Sequence, residues 1–299
     1  MNKLLPVFLL CLAALPCPAQ KAARLEADKP VILADKRIHE SSGLTRSLRH
    51  PGLFWTLNDS GGEPCLFAID EKGQTRAKVR LPKAVNFDWE DLASGTDEEG
   101  RPCLLIADIG DNLKVRASLQ IYRIPEPDLP KDPRKEFESA EPEIWHLGYP
   151  DGRHNAECLL VHPQTQQVWI LTKEENGEST LYELKGKRRA GSGMKLEKIT
   201  TLSFPARARE GKRPGMASMT TGASISPDGK RLVIATYSYL HEWKLTPGQP
   251  LSKALLSPAL IIEPPLTRQM EGVCYDDDSA TLWFTSEQLP TPLYRLRRK

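Results

Sequence analysis

The sequence predicts an all-β fold: a β-propeller of five blades in preference to six, closed by an N-terminal strand. Three observations carry that prediction. A unit made of a polar anchor, a turn and a β-rich run recurs five times along the chain. The interval from anchor to run is 11 residues in four copies and 13 in the other, the constancy expected of one repeated supersecondary unit. Further short runs rich in aromatic and β-branched residues follow each copy, as antiparallel strands joined by tight turns require.

The anchors are Ser42-Gly43-Leu44, Glu90-Asp91-Leu92, Glu157-Cys158-Leu159, Thr221-Gly222-Ala223 and Glu271-Gly272-Val273. They lead to runs at 53–59, 103–108, 168–174, 232–236 and 282–287. Turn formers separate anchor from run, as in Arg49-His50-Pro51-Gly52, His162-Pro163-Gln164-Thr165 and Ser226-Pro227-Asp228-Gly229. Third strands are expected at 65–70, 119–124, 180–184, 240–245 and 292–296. Fourth, outer strands are expected at 77–81, 143–147, 196–204 and 259–262. The fifth copy ends after three strands, and a strand at 29–33 is available as its fourth. Each unit then has about 56 residues, with the excess over a minimal blade in loops at 125–140 and 185–194. A β-sandwich or two smaller β domains would also use such strands, but neither accounts for the repeated anchor.

The chain has 299 residues, and its 39% hydrophobic content supports a packed core. Its net charge of +2 supplies no general attraction to nucleic acid. Residues 1–19 have the form of an export signal, with Lys3 before an apolar run at 4–15 and Ala19 at the cleavage position. That run is shorter than the roughly 20 residues a membrane-spanning helix needs. A soluble periplasmic or extracellular domain at 20–299 follows, with lipid attachment at Cys17 as the less favoured variant because Pro16 precedes it. The absence of any Gly/Ser-rich linker favours one domain. Cys65, Cys103, Cys158 and Cys274 remain after the signal; they allow one or two disulfides or serve as buried thiols, and without a CxxC pair they argue against structural zinc.

In a propeller the innermost strands line a central channel, so the anchors Ser42, Glu90, Glu157, Thr221 and Glu271 are expected to form a ring. Three glutamates around one axis repel one another, and a bound cation relieves that repulsion. Asp59, Asp88, Asp108 and Asp111 lie beside the anchors or at run ends, giving with Glu90, Glu157 and Glu271 an all-oxygen set suited to Ca²⁺. Each of these carboxylates also has a purely structural reading as a turn cap or a cross-blade hydrogen-bond acceptor. Asn58, Asn112, Asn155 and Lys173 are candidate substrate-binding groups, Lys173 either meeting an anionic ligand or pairing with a carboxylate. His154 is more readily a packing residue than a functional one, and Trp55, Trp169 and Trp283 suit packing between blades.

At Asn58-Asp59-Ser60-Gly61-Gly62, Asp88-Trp89-Glu90-Asp91-Leu92, Asp108-Ile109-Gly110-Asp111-Asn112 and Asn155-Ala156-Glu157, the sequence resembles a family of exported bacterial propeller-like proteins. The segments at 221–229 and 271–273 fit the same pattern, so the resemblance covers most of the mature chain. That family is more distantly similar to calcium-dependent β-propeller phytases and phytase-related esterase-like proteins. The resemblance implies a propeller and calcium; a full phosphate-binding set of Lys and Arg does not align. GxSxG, HExxH, P-loop and GxGxxG motifs are absent from the sequence. Two functional expectations follow: a binding module for a small-molecule, envelope or extracellular ligand, or a calcium-dependent hydrolase of a phosphoester, ester or lactone.

Overall fold

The computed structural model describes residues 25–186, 191, 193–204, 209 and 216–298. The export signal read at 1–19 lies outside the described residues, as does most of the basic stretch at 207–213.

The chain is all-β, as expected. Two short strands, β1 (Glu26–Ala27) and β2 (Val31–Ile32), precede five antiparallel meanders. The first comprises β3 (Ser41–Arg46), β4 (Leu53–Asn58), β5 (Cys65–Asp70) and β6 (Thr75–Arg80). The second comprises β7 (Trp89–Thr96), β8 (Pro102–Asp108), β9 (Leu119–Pro125) and, after the short β10 (Phe137–Glu138), β11 (Glu143–Gly148). The third runs through β12 (Ala156–Val161), β13 (Val168–Thr172), β14 (Glu178–Leu184) and β15 (Gly193–Ser203). In the fourth, β16 (Thr220–Ile225), β17 (Arg231–Thr236) and β18 (Leu240–Lys244) are followed by the single helical turn α1 (Leu251–Ala254) and β19 (Leu260–Ile262). The fifth is β20 (Met270–Tyr275), β21 (Leu282–Ser286) and β22 (Pro292–Arg297).

Both β1 and β2 pair antiparallel with β22, standing where a fourth strand would stand. Of the strand expected at 29–33 only Val31–Ile32 pairs, and β1 precedes that range; Pro30, which lacks a ladder N–H, stands between the two. The loop at 125–140 contributes β10, which adds parallel to the edge strand β6. Parallel pairing of β11 with β15 joins the second and third meanders into one eight-stranded sheet. Turn chemistry sets the hairpins. Between β16 and β17, Ser226 Oγ donates to Asp228 Oδ1 at 2.6 Å, and Asp228 Oδ1 accepts from the Lys230 amide at 3.0 Å.

Five hydrophobic clusters hold the meanders together, each between consecutive neighbours. Trp55 packs with Trp89 and Tyr122 between the first and second, and Trp169 with Ile234 and Trp243 between the third and fourth. Trp145 and Ile170 join the second to the third, and Val233 and Phe284 the fourth to the fifth. Trp283 and Cys274 of the fifth pack against Phe54 and Leu44 of the first. Burying one such side chain stabilises by roughly 1.5–3 kcal/mol, so these seams dominate the core. All three tryptophans expected between units lie in them. Every residue of β12 and β13 is buried, which explains their near-continuous apolar sequences. Cys65, Cys103, Cys158 and Cys274 are buried and none of them is in a disulfide.

The first strands of the meanders pack in cyclic order, β3 on β7, β7 on β12, β12 on β16, β16 on β20 and β20 on β3. Their approach is close enough to demand glycine. A Cβ on Gly272 would lie 2.7 Å from both the Gly43 carbonyl carbon and the Leu44 nitrogen.

Candidate metal centre

All five first strands carry a break in register at the anchor. Trp89 faces Asp108 and Asp91 faces Ala107, leaving Glu90 as an extra residue; Glu157 and Thr221 are extra in the same way between Ala156 and Cys158 and between Thr220 and Gly222. Ser42 and Glu271 lie within the corresponding shifts of β3 and β20. A bulge re-aims the side chain it carries, so one backbone device turns all five anchors out of the regular alternation.

A second set of equivalent positions follows the second strand of each meander. There the amides of Asp59, Gly110, Lys173, Tyr237 and Glu287 donate to the carbonyls of Glu40, Asp88, Asn155, Met219 and Gln269, each two residues before an anchor. The wall around the anchors is thus built from Asp59, Gly110, Lys173, Tyr237 and Glu287.

Carboxylate oxygens of Asp59, Asp88 and Glu90 lie within 4.8 Å of one another. Asn86 sets this spacing by donating from Nδ2 to the Asp59 carbonyl at 2.8 Å while its Oδ1 accepts from the Trp89 amide at 3.2 Å. The Ser42 hydroxyl donates to the Glu90 carbonyl at 2.6 Å, tying the bulges of β3 and β7 together. Glu90 Oε1 and Asp88 Oδ2 pack directly on the Gly110 backbone, so close that a Cβ there would collide with both carboxylates. Burial, reinforced by Asp59 and other nearby acids, raises the Asp88 pKa to about 6. Burial, then the charges of Glu157, Asp59 and Asp88, holds Glu90 well above the ordinary carboxylate range. Asp59 is raised by burial as well.

The opposite side of the wall carries its own cation. Lys173 Nζ donates to Glu157 Oε1 and, at 2.7 Å, to the Tyr237 hydroxyl, and all three side chains are buried. Burial opposes the Lys173 charge, but Glu157 and Glu271 more than offset it, so the ammonium stays protonated. Burial lifts Glu157 to about 7 against the pull of Lys173. Glu271 is only 3% exposed and its Oε2 has no hydrogen-bond partner. Burial and the charge of Glu157 raise its pKa strongly. Glu287, which accepts from Gln269 Nε2 at 2.6 Å, is lifted to about 7 by burial and Asp59.

Of the seven metal-ligand candidates, the structure brings Asp59, Asp88 and Glu90 together and gives Glu157 to Lys173. Glu271 shares the acidic wall. Asp108 instead forms a buried ion pair with Arg116 at 2.7 Å and accepts from the Asp88 amide. Asp111 caps a turn, accepting from the amides of Val115 and Arg116 at 2.8 Å each. The polar candidates divide similarly. Asn58 braces the loop before β3, accepting from the His39 amide at 3.1 Å and donating to the Arg37 carbonyl at 2.7 Å. Asn155 accepts from the Asp111 amide at 2.7 Å and donates to Asn112 Oδ1 at 3.0 Å. His154 packs on the rings of Tyr149 and Tyr182 and contacts Asp151 at 3.1 Å.

Tyr237 and Gly110 are the wall residues that sequence reasoning missed. Tyr237 had a signal, since it follows Thr221 by 16 residues, as Lys173 follows Glu157 and Glu287 follows Glu271. No family model matches the chain, and no curated protein matches it. Among the described residues, no helix is long and apolar enough to cross a membrane.

Proposed function

We propose that the five meanders form a five-bladed β-propeller closed by β1 and β2, and that the protein is an exported binding module whose channel holds Ca²⁺ at Asp59, Asp88 and Glu90. The convergence of those three carboxylates, two of them packed on the bare backbone of Gly110, is the observation that carries this function. The cyclic packing of first strands and the fifth-to-first hydrophobic seam support the blade count and its closure. An all-carboxylate donor set fits a hard cation that takes six to eight oxygens, and the buried, unpartnered Glu271 Oε2 marks uncompensated acceptor capacity in the same wall. A ligand bearing oxyanion groups, from the cell envelope or outside it, would dock on the ion. Membership of the exported propeller-like family that the sequence resembles is part of the same proposal.

The test is a melting-temperature titration of chelator-treated protein with Ca²⁺. A saturable rise is expected, amounting to about 2.7 kcal/mol at a hundred times Kd, and lost in Glu90→Gln and Asp59→Asn. No rise with Ca²⁺ in folded wild-type protein would sink the metal assignment.

The high pKa of buried Glu271 favours one alternative, a hydrolase in which that carboxyl donates a proton to a leaving group. A bound ion would polarise the scissile group there. Turnover of phytate, simple phosphoesters, esters or lactones that needs Ca²⁺ and fails in Glu271→Gln would establish the enzyme; calcium stabilisation without turnover would establish the binding module.

A further inference from the structure

Beyond the acidic wall the first strands enclose a second cavity of about 220 Å³. Every one of the five contributes to its lining, through Leu44, Leu92, Leu159, Ala223 and Cys274, each two or three residues past its anchor. Asp91 lies between the two regions in sequence and in space. Its carboxylate is 1% exposed and accepts from the amides of Leu92 at 2.8 Å and Leu159 at 2.9 Å, joining β7 to β12. Together with the close approach of Gly272 to Gly43, this forms a floor under the anchors.

The cavity's chemistry is the reverse of the acidic wall's. Most of its lining is aliphatic, and among the described residues Arg46 is the one charged side chain in it. The Thr45 hydroxyl donates to Ser94 Oγ, and the Ser94 hydroxyl donates to the Arg46 carbonyl, so both hydroxyls are occupied. Arg46 Nη2 pairs with Asp277, but its Nε is buried without a hydrogen-bond partner. An N–H donor left bare in an apolar wall carries a desolvation cost that an incoming acceptor would remove. With Nη2 held by Asp277, Nε is the donor left to take one carboxylate oxygen in a charge-assisted hydrogen bond. A hydrocarbon chain without an acid group would fill the cavity and leave Nε bare.

We propose that this cavity binds a small aliphatic monocarboxylate, with its chain among Leu44, Leu92, Leu159 and Ala223 and its carboxylate on Arg46. At ~30 Å³ per small heavy-atom group, the volume admits about seven such groups, matching the seven chain carbons of octanoate with its carboxylate set on Arg46. The site is independent of the cation, because Asp91 and the glycine contacts separate the two.

Calorimetric titration of the full chain with octanoate, butyrate and octanol tests the assignment, run once in Ca²⁺ and once in chelator. Saturable octanoate binding is expected, unchanged by Ca²⁺. It should exceed both butyrate and octanol binding and weaken roughly tenfold to a hundredfold in Arg46→Met, as loss of a charge-assisted hydrogen bond predicts. Ala93→Leu, which places added bulk in the lining, should weaken octanoate binding with Arg46 intact. The proposal is overturned if octanoate fails to saturate folded wild-type protein, or if octanol binds as tightly as octanoate. Unchanged octanoate affinity in a folded Arg46→Met variant would also overturn it. Binding that appears only with Ca²⁺ would place octanoate at the acidic wall and overturn it as well.

Discussion

Glu90 and Glu157 occupy the same position in adjacent meanders, each the extra residue of a bulge and each almost wholly buried. Their surroundings differ at one equivalent position. In the third meander that position is Lys173, whose ammonium bonds Glu157. In the second it is Gly110, which has no side chain and leaves Glu90 facing Asp88 and Asp59. The backbone therefore presents the same anchor twice, and the residue opposite it decides whether a compensating charge is built in. Without one, a buried carboxyl is neutralised by a proton, as the raised pKa of Glu90 records, or by the cation proposed above.

The largest effect should come from removing the built-in charge. Lys173→Met leaves Glu157 buried without its partner and is expected to lower unfolding free energy by about 3–5 kcal/mol in urea denaturation. Adding Glu157→Leu should restore most of that loss. Failure of the double variant to recover would show that Lys173 acts through contacts other than this pair.

Gly110→Ala sets a methyl group against Glu90 Oε1 and Asp88 Oδ2 and must displace the carboxylates that would hold the cation. It should abolish the Ca²⁺-dependent rise in melting temperature, worth about 2.7 kcal/mol at a hundredfold excess over Kd, while the Lys173 side keeps its stability. A full calcium response in this variant would move the ion away from Glu90.

A smaller loss, about 1–3 kcal/mol, is expected for Asp91→Ala, which strands the Leu159 amide. Asp91→Asn keeps an acceptor and should cost less. Equal losses in the two variants, measured by denaturation, would remove Asp91 as the tie between β7 and β12.

The gentlest effect is that of pH. Asp88, Glu157 and Glu287 have folded-state pKa values of about 6, about 7 and about 7, above their ordinary 3.8, 4.5 and 4.5. The native chain thus holds more protons than the unfolded chain between those limits. The stability these groups contribute is full below their ordinary pKa values and is lost as pH rises through 6 to 7. In chelator, the melting temperature should fall across this window. Calcium should flatten the fall, since the ion takes the place of the proton at Asp88.

The sequence by itself determined the strand order, the five anchors and the pairing of turn to run, because these are local properties that repeat at a nearly constant interval. It also placed Asp59, Asp88 and Glu90 among the candidates. It did not separate them from Asp108 and Asp111, which look the same in one dimension. Arg116 and the amides beside it claim both aspartates, and only the folded chain brings those partners into reach. Tyr237 was open to recognition from its 16-residue offset, whereas the importance of Gly110 was not: the need for a bare backbone arises only once the carboxylates of Asp88 and Glu90 pack against it. Tertiary structure decided which acids are neutralised and which are not, since a buried charge takes its role from the few groups within hydrogen-bonding distance.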